Sequence, residues 1–122
     1  MIHHVALFAR RPNELAAFYS SVLGLSEIRR TEDNQGLYSV WLQAGSAILM
    51  IERADDQNSM SAGQGLRPAN HCLIAFAMDA AQQKAFADRL TSHGGDVLRR
   101  TEFTLYFEDP EKNRLAVSWY PG

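Results

Sequence analysis

The chain is poor in the features that mark exported, membrane-embedded or nucleic-acid-binding proteins. It has a single cysteine, Cys72, in 122 residues, so no internal disulfide can form. A reducing compartment, the cytoplasm, is the expectation. Long hydrophobic runs are missing: the longest, Cys72 to Met78, holds seven residues, whereas crossing a bilayer core takes about 20. Positive charge is not in surplus. Twelve Lys and Arg stand against 14 Asp and Glu, a formal charge of −2. Polyanions and anionic lipid surfaces both demand such a surplus, so neither nucleic acid nor membrane is expected as a partner. The opening Met-Ile-His-His-Val has no basic stretch leading into an apolar one, so no secretory signal is expected. There is no Gly-rich phosphate loop, no Cys-x-x-Cys pair and no Ser-centred elbow. What is present, 46% hydrophobic and 21% charged residues, is the balance of a folded domain.

Periodicity divides that domain into elements. Residues 2–9 alternate as a strand, with Val5, Leu7 and Ala9 on one face and His4, Ala6 and Phe8 on the other. Pro12-Asn13-Glu14 opens a helix whose stripe is Leu15, Phe18, Tyr19, Val22 and Leu23, with Gly24 placed to end it. Strands are expected near 27–32, 37–43 and 46–52, separated by turn formers. The stretch 53–70 is rich in Asp, Asn, Ser, Gly and Gln, lacks apolar period and reads as a linker or a mobile flap. The same order then returns. A strand over 71–78 is followed by a helix capped by Asp79 and Gln82, where a capping box belongs. Strands follow near 96–101, 103–108 and 114–120. Cys72, in phase with Ile74, Phe76 and Met78, is expected on the helix-facing side as a buried, inert thiol.

The halves share letters as well as order. Ile28-Arg29-Arg30-Thr31-Glu32 matches Leu98-Arg99-Arg100-Thr101-Glu102; Phe18 matches Phe86, and His4 matches His71. The expected architecture is therefore a duplicated βαβββ unit, modules 1–52 and 71–122 joined by linker 53–70 in one domain over 1–122.

His4-Val5-Ala6-Leu7, Phe18-Tyr19 with Val22-Leu23-Gly24-Leu25, His71 opening the second half, and Asp109-Pro110 with Asn113 together resemble the vicinal oxygen chelate superfamily. That superfamily includes glyoxalases, bleomycin-resistance proteins, fosfomycin-modifying enzymes and extradiol dioxygenases. The resemblance spans nearly the whole chain. It implies an α+β fold of two βαβββ modules forming an open, mixed-strand barrel with helices outside. It also implies, for metal-dependent members, one ligand on the first and one on the fourth strand of each module. Small two-module relatives usually form two-fold dimers, so a homodimer is expected.

Strand phase puts His4 and His71 on the faces away from the helices, where imidazoles suit a divalent ion such as Zn, Ni, Fe or Mn. The carboxylate slots of metal-binding relatives fall here on Leu49 or Met50 and on Ala116, none of which offers an anionic oxygen. Glu52, in phase with Ile48 and Met50, is the candidate substitute, as third ligand or catalytic base. Tyr38, Trp41, Tyr106 and Tyr120 are candidates for stacking on a substrate, while Trp119, in phase with Leu115 and Val117, reads as core. Arg29, Arg30, Arg99 and Arg100 could bind a carboxylate or phosphate, though only one of each adjacent pair can point inward. In the turn from Asp109 to Asn113, relatives usually carry glycine where Lys112 stands, and Asn113 is expected to take the left-handed conformation.

Two functions follow. One is a lyase, isomerase or dioxygenase that chelates vicinal oxygens of a small molecule on a divalent metal held by His4, His71 and Glu52. The other is a metal-free protein of the bleomycin-resistance kind that binds or sequesters a small molecule. The paired histidines favour the first, and the missing carboxylates favour the second.

Overall fold

The first strand, β1 (His4–Ala9), passes from an exposed His4 through three half-buried residues to a sharp contrast at its end, where Phe8 is 63% exposed and Ala9 is fully buried. In a computed structural model, which describes residues 1–54 and 72–122, β1 leads into helix α1 (Pro12–Ser21). Pro12 sits in the first turn, where its fixed φ suits the helix and its missing N–H costs nothing. Leu15, Tyr19 and Val22 are fully buried. Gly24 turns the chain at φ +76, a conformation that favours glycine, and the next residue closes the end as Leu25 N–H donates to Tyr19 O at 3.1 Å. Strands β2 (Ser26–Asp33), β3 (Gly36–Ala44) and β4 (Ala47–Arg53) follow. Their order with β1 is β1-β4-β3-β2, with β1 and β4 parallel and the other pairs antiparallel. Val40, Leu42, Leu49 and Ile51 are almost wholly buried and share the helix side of this mixed sheet.

The second unit repeats the plan. Strand β5 (Ile74–Ala77), helix α2 (Ala80–Ser92), β6 (Val97–Arg100), β7 (Thr104–Glu108) and β8 (Arg114–Ser118) give the sheet order β5-β8-β7-β6. Again the first and last strands are parallel. The expected capping box is formed: Gln82 N–H donates to Asp79 Oδ1 at 2.7 Å and Asp79 N–H to Gln82 Oε1 at 2.8 Å. Phe86, Leu90, Leu105, Phe107, Leu115 and Val117 are fully buried, and the Phe86 and Phe107 rings meet at 4.8 Å. The two compact units comprise Met1–Met60 and Ser61–Gly122.

Duplication shows in the irregularities too. In the β2–β3 ladder the register skips Ile28, and in β6–β7 it skips Leu98. These are corresponding letters of the repeated string, so the same bulge recurs in both units.

Several expectations need correction. Strand β5 begins at Ile74, so Cys72 precedes the pairing that would have buried it and is exposed. Strand β8 ends at Ser118, which leaves Trp119 half-buried with its ring edge-on to Phe103 at 4.6 Å. In the β7–β8 turn Lys112, not Asn113, takes the left-handed backbone, at φ +70. The linker 53–70 lies outside the described residues except for Arg53 and Ala54. Among the described residues no helix is long and apolar enough to cross a membrane.

Candidate functional site

The sheet faces turned away from the helices hold most of the candidate residues, in cross-strand rows fixed by register. In the first unit one row runs Ala6, Met50, Trp41, Arg29. The next runs Phe8, Glu52, Ser39, Thr31, and the row on the other side is His4, Ile48, Gln43, Ser26. Trp41 is fixed from below and above. Its indole N–H donates to Ser39 Oγ at 3.0 Å, Ser39 Oγ lies 2.5 Å from Thr31 Oγ1, and Arg29 stacks over the ring 4.9 Å from its centroid. Ser39 is 2% exposed, so these bonds meet the needs of a buried hydroxyl.

The second unit has a matching row, Ala75, Ala116, Tyr106, Arg99, with Arg99 4.7 Å from the Tyr106 centroid. Beside it Thr104 Oγ1 and Ser118 Oγ lie 2.8 Å apart. On the other side Glu108 and Arg114 face each other across the ladder. Glu108 Oε2 and Arg114 Nε are buried without a hydrogen-bond partner among the described residues.

Tyr38 and Tyr120 stand apart from these rows. Tyr38 is three residues from Trp41, so period two sends it to the other face with Val40 and Leu42. There Arg53 lies 5.5 Å over its ring, donates to Leu37 O at 2.8 Å and pairs with Asp33. That pairing, with a hydrogen bond from Gln35 N–H, holds the Asp33 carboxyl below its usual range. Tyr120 is 73% exposed beyond β8, with its ring 5.3 Å from that of Phe103.

Of the candidate metal ligands, His4 and Glu52 are not brought together within the first unit. His4 is exposed, and its Nδ1 lies 3.0 Å from Nδ1 of His3. Glu52 is in the row of Phe8, and His4 is in the row of Ile48. Four residues of strand separate those rows, about 13 Å, too far for side chains standing off one face to share an ion. His71 lies outside the described residues. Register also revises the match between the histidines. Ala6 and Ala75 occupy corresponding rows, so the position corresponding to His4 is Leu73, two residues from His71. By the same rows Met50 corresponds to Ala116, which resolves the choice between Leu49 and Met50 for the fourth-strand slot. His4, Met50, Leu73 and Ala116 offer one ligating side chain between them. No group of three or more His, Cys, Asp or Glu that could hold an ion occurs among the described residues. Within the first unit, His4 and Glu52 do not by themselves make up the metal centre that the resemblance implies.

The duplicated α+β fold, two βαβββ units in succession, defines the class of the chain. The sequence matches the family model of the Glyoxalase/Bleomycin resistance protein/Dioxygenase superfamily over residues 1–117, and the chain belongs to that superfamily. It is 28% identical to the ring-cleaving dioxygenase MhqE of Bacillus subtilis, across 95% of this chain but only 40% of that protein. The chain thus spans well under half the length of this curated relative. Among solved structures it resembles lactoylglutathione lyase from Agrobacterium tumefaciens, with TM-score 0.72, 20% identity, and coverage of 98% and 93% of the two chains. It also resembles an E126Q mutant of the fosfomycin resistance protein FosX from Listeria monocytogenes, complexed with Mn(II) and dihydroxypropylphosphonic acid. There the TM-score is 0.74 at 18% identity, covering 97% and 90%. These structural likenesses show the glyoxalase-like fold.

Proposed function

We propose that this chain is a small-molecule-binding protein of the bleomycin-resistance kind that works without a metal. The observation that carries the reading is the register of the two sheets. Of the four positions that would carry ligands in a metal-dependent member, one holds His4 and three hold Met50, Leu73 and Ala116, while the same faces present Trp41 and Tyr106. Aromatic rings with stacked cations, one of them also anchored by its indole N–H, suit recognition of a flat molecule, because less side-chain entropy is left to lose. As working form we propose a homodimer in the cytoplasm, and a sedimentation mass of one chain would refute the dimer.

The competing outcome is a metal-dependent lyase, isomerase or dioxygenase, which kinship with a ring-cleaving dioxygenase favours. One experiment separates the two. Protein purified without added ions is titrated with nickel, zinc, manganese and ferrous iron, then gel-filtered and assayed for metal. Substoichiometric metal, with binding of the planar probe 2-naphthamide unchanged by chelator, is expected. Stoichiometric metal that disappears in His4→Ala and His71→Ala overturns the metal-free reading.

A further inference from the structure

Arg29 and Arg99 occupy corresponding places in the two sheets. Each follows the bulge that takes Ile28 or Leu98 out of register, and each then lies over the ring of its cross-strand partner. Arg100 pairs with Leu105 and so takes the opposite face from Arg99, and two further arginines of the first sheet are committed. Arg30 donates to Glu27 at 2.7 Å and to Asn13 at 3.0 Å, and Arg53 pairs with Asp33. Arg29 and Arg99 are exposed and make no hydrogen bond or ion pair among the described residues. A guanidinium stacked on a ring offers one face to it and leaves its in-plane N–H donors free. Stacking also fixes the fork, so less freedom is lost when an anion is bound bidentately.

Beyond each ring the row turns apolar, through Met50 to Ala6 in one unit and through Ala116 to Ala75 in the other. With strands about 4.8 Å apart, the distance from arginine to alanine is about 14 Å. One end of each row therefore asks for an anionic group, and the remainder asks for a flat or apolar body.

We propose that each row is a subsite for an organic anion with a planar apolar body, its carboxylate or similar oxyanion held by Arg29 or Arg99 and its body lying along Trp41 or Tyr106. This rests on the small-molecule-binding reading and adds the class of ligand. No metal takes part, and no bond is made or broken.

The test uses the full chain, labelled with nitrogen-15, titrated with 2-naphthoate and, separately, with the neutral 2-naphthamide. The reporters are the Trp41 indole N–H and the Tyr106 backbone N–H. Saturable shifts at both reporters, with an apparent Kd for 2-naphthoate at least about tenfold lower than for 2-naphthamide, are expected. Arg29→Gln should abolish that preference at Trp41, and Arg99→Gln should abolish it at Tyr106. Arg29→Lys, which keeps charge but loses the planar fork, should retain only part of it. Arg30→Gln, which alters the arginine already committed to Glu27, should change neither reporter. Equal affinity for the two probes, or a preference that survives Arg29→Gln and Arg99→Gln, overturns the anion subsites while leaving the binding reading standing. Failure of both probes to bind overturns the two together.

Discussion

Replacing Lys112 with glycine should stabilise the protein. The turn between β7 and β8 is held by Asp109, which is 3% exposed. Asp109 Oδ1 accepts from the N–H groups of Glu111 and Asn113, both at 2.9 Å, and Oδ2 accepts from Asn113 Nδ2 at 2.9 Å. Lys112 N–H donates to Asp109 O at 2.9 Å, and Asp109 N–H donates to Asn113 O at 3.0 Å. This network leaves Lys112 no choice but φ +70. A left-handed L-residue costs about 1–2 kcal/mol. The Lys112 side chain is exposed and makes no hydrogen bond or ion pair among the described residues, so truncating it forfeits nothing there. Glycine gives back about 0.4–1 kcal/mol through the greater freedom of the unfolded chain. The net gain is about 0.5–1 kcal/mol. Urea unfolding should show a higher midpoint at unchanged slope, and the melting temperature should rise by about 2–4 °C. Asn113→Gly is the matched control. It removes the Nδ2 bond to a buried carboxylate and should cost about 1–2 kcal/mol. If Lys112→Gly were neutral or destabilising while Asn113→Gly stabilised, the left-handed residue would be Asn113 and this description of the turn would be wrong.

Gly95→Ala should destabilise by about 1–3 kcal/mol, because the added Cβ would meet Leu90 Cδ1 at 2.5 Å and Leu90 is fully buried; thermal melts matching wild type would refute this packing. The Asp33–Arg53 pair predicts a pH effect: a folded-state pKa lowered from 3.8 contributes stability above that value, and the contribution is lost as pH falls through the folded pKa. Asp33→Asn should therefore flatten the acid limb of a melting-temperature profile, and an unchanged profile would show that the pair contributes nothing.

Local rules made much of the fold legible. The Asp79–Gln82 cap and the stripe of Leu15, Tyr19 and Val22 depend on spacings within a turn or two, which sequence states directly. Strand ends were less legible because pairing decides them. β5 stops pairing with β8 at Ile74, so Cys72 and Leu73 escape a pattern that continues through them in the letters. The site was harder for the same reason. Matching His4 to His71 uses an offset of 67, whereas Ala6 and Ala75, which share a row, differ by 69. Two residues change nothing in strand phase, so alternation could not expose the mismatch. Period two did contain the separation of Tyr38 from Trp41, since positions three apart on one strand face opposite ways.

The strongest constraint on function comes from what the two units keep in common. Corresponding positions diverge wherever ion ligation is at stake: His4 against Leu73, Met50 against Ala116, and Glu52 against Ser118. They agree at a bulge, an arginine and a ring. The agreement is geometric and not merely one of letters, because the ring is an indole in one unit and a phenol in the other. What Trp41 and Tyr106 share is a flat π-face at the same depth in the sheet, and what Arg29 and Arg99 share is a planar cation laid on it. A bulge that exposes Ile28 or Leu98 works against burial of apolar surface. The same bulge sets the register that brings each arginine opposite its ring, and it occurs in both sheets. That pairing of an apolar face with an uncommitted guanidinium matches the chemistry of a planar organic anion more closely than that of a chelated ion.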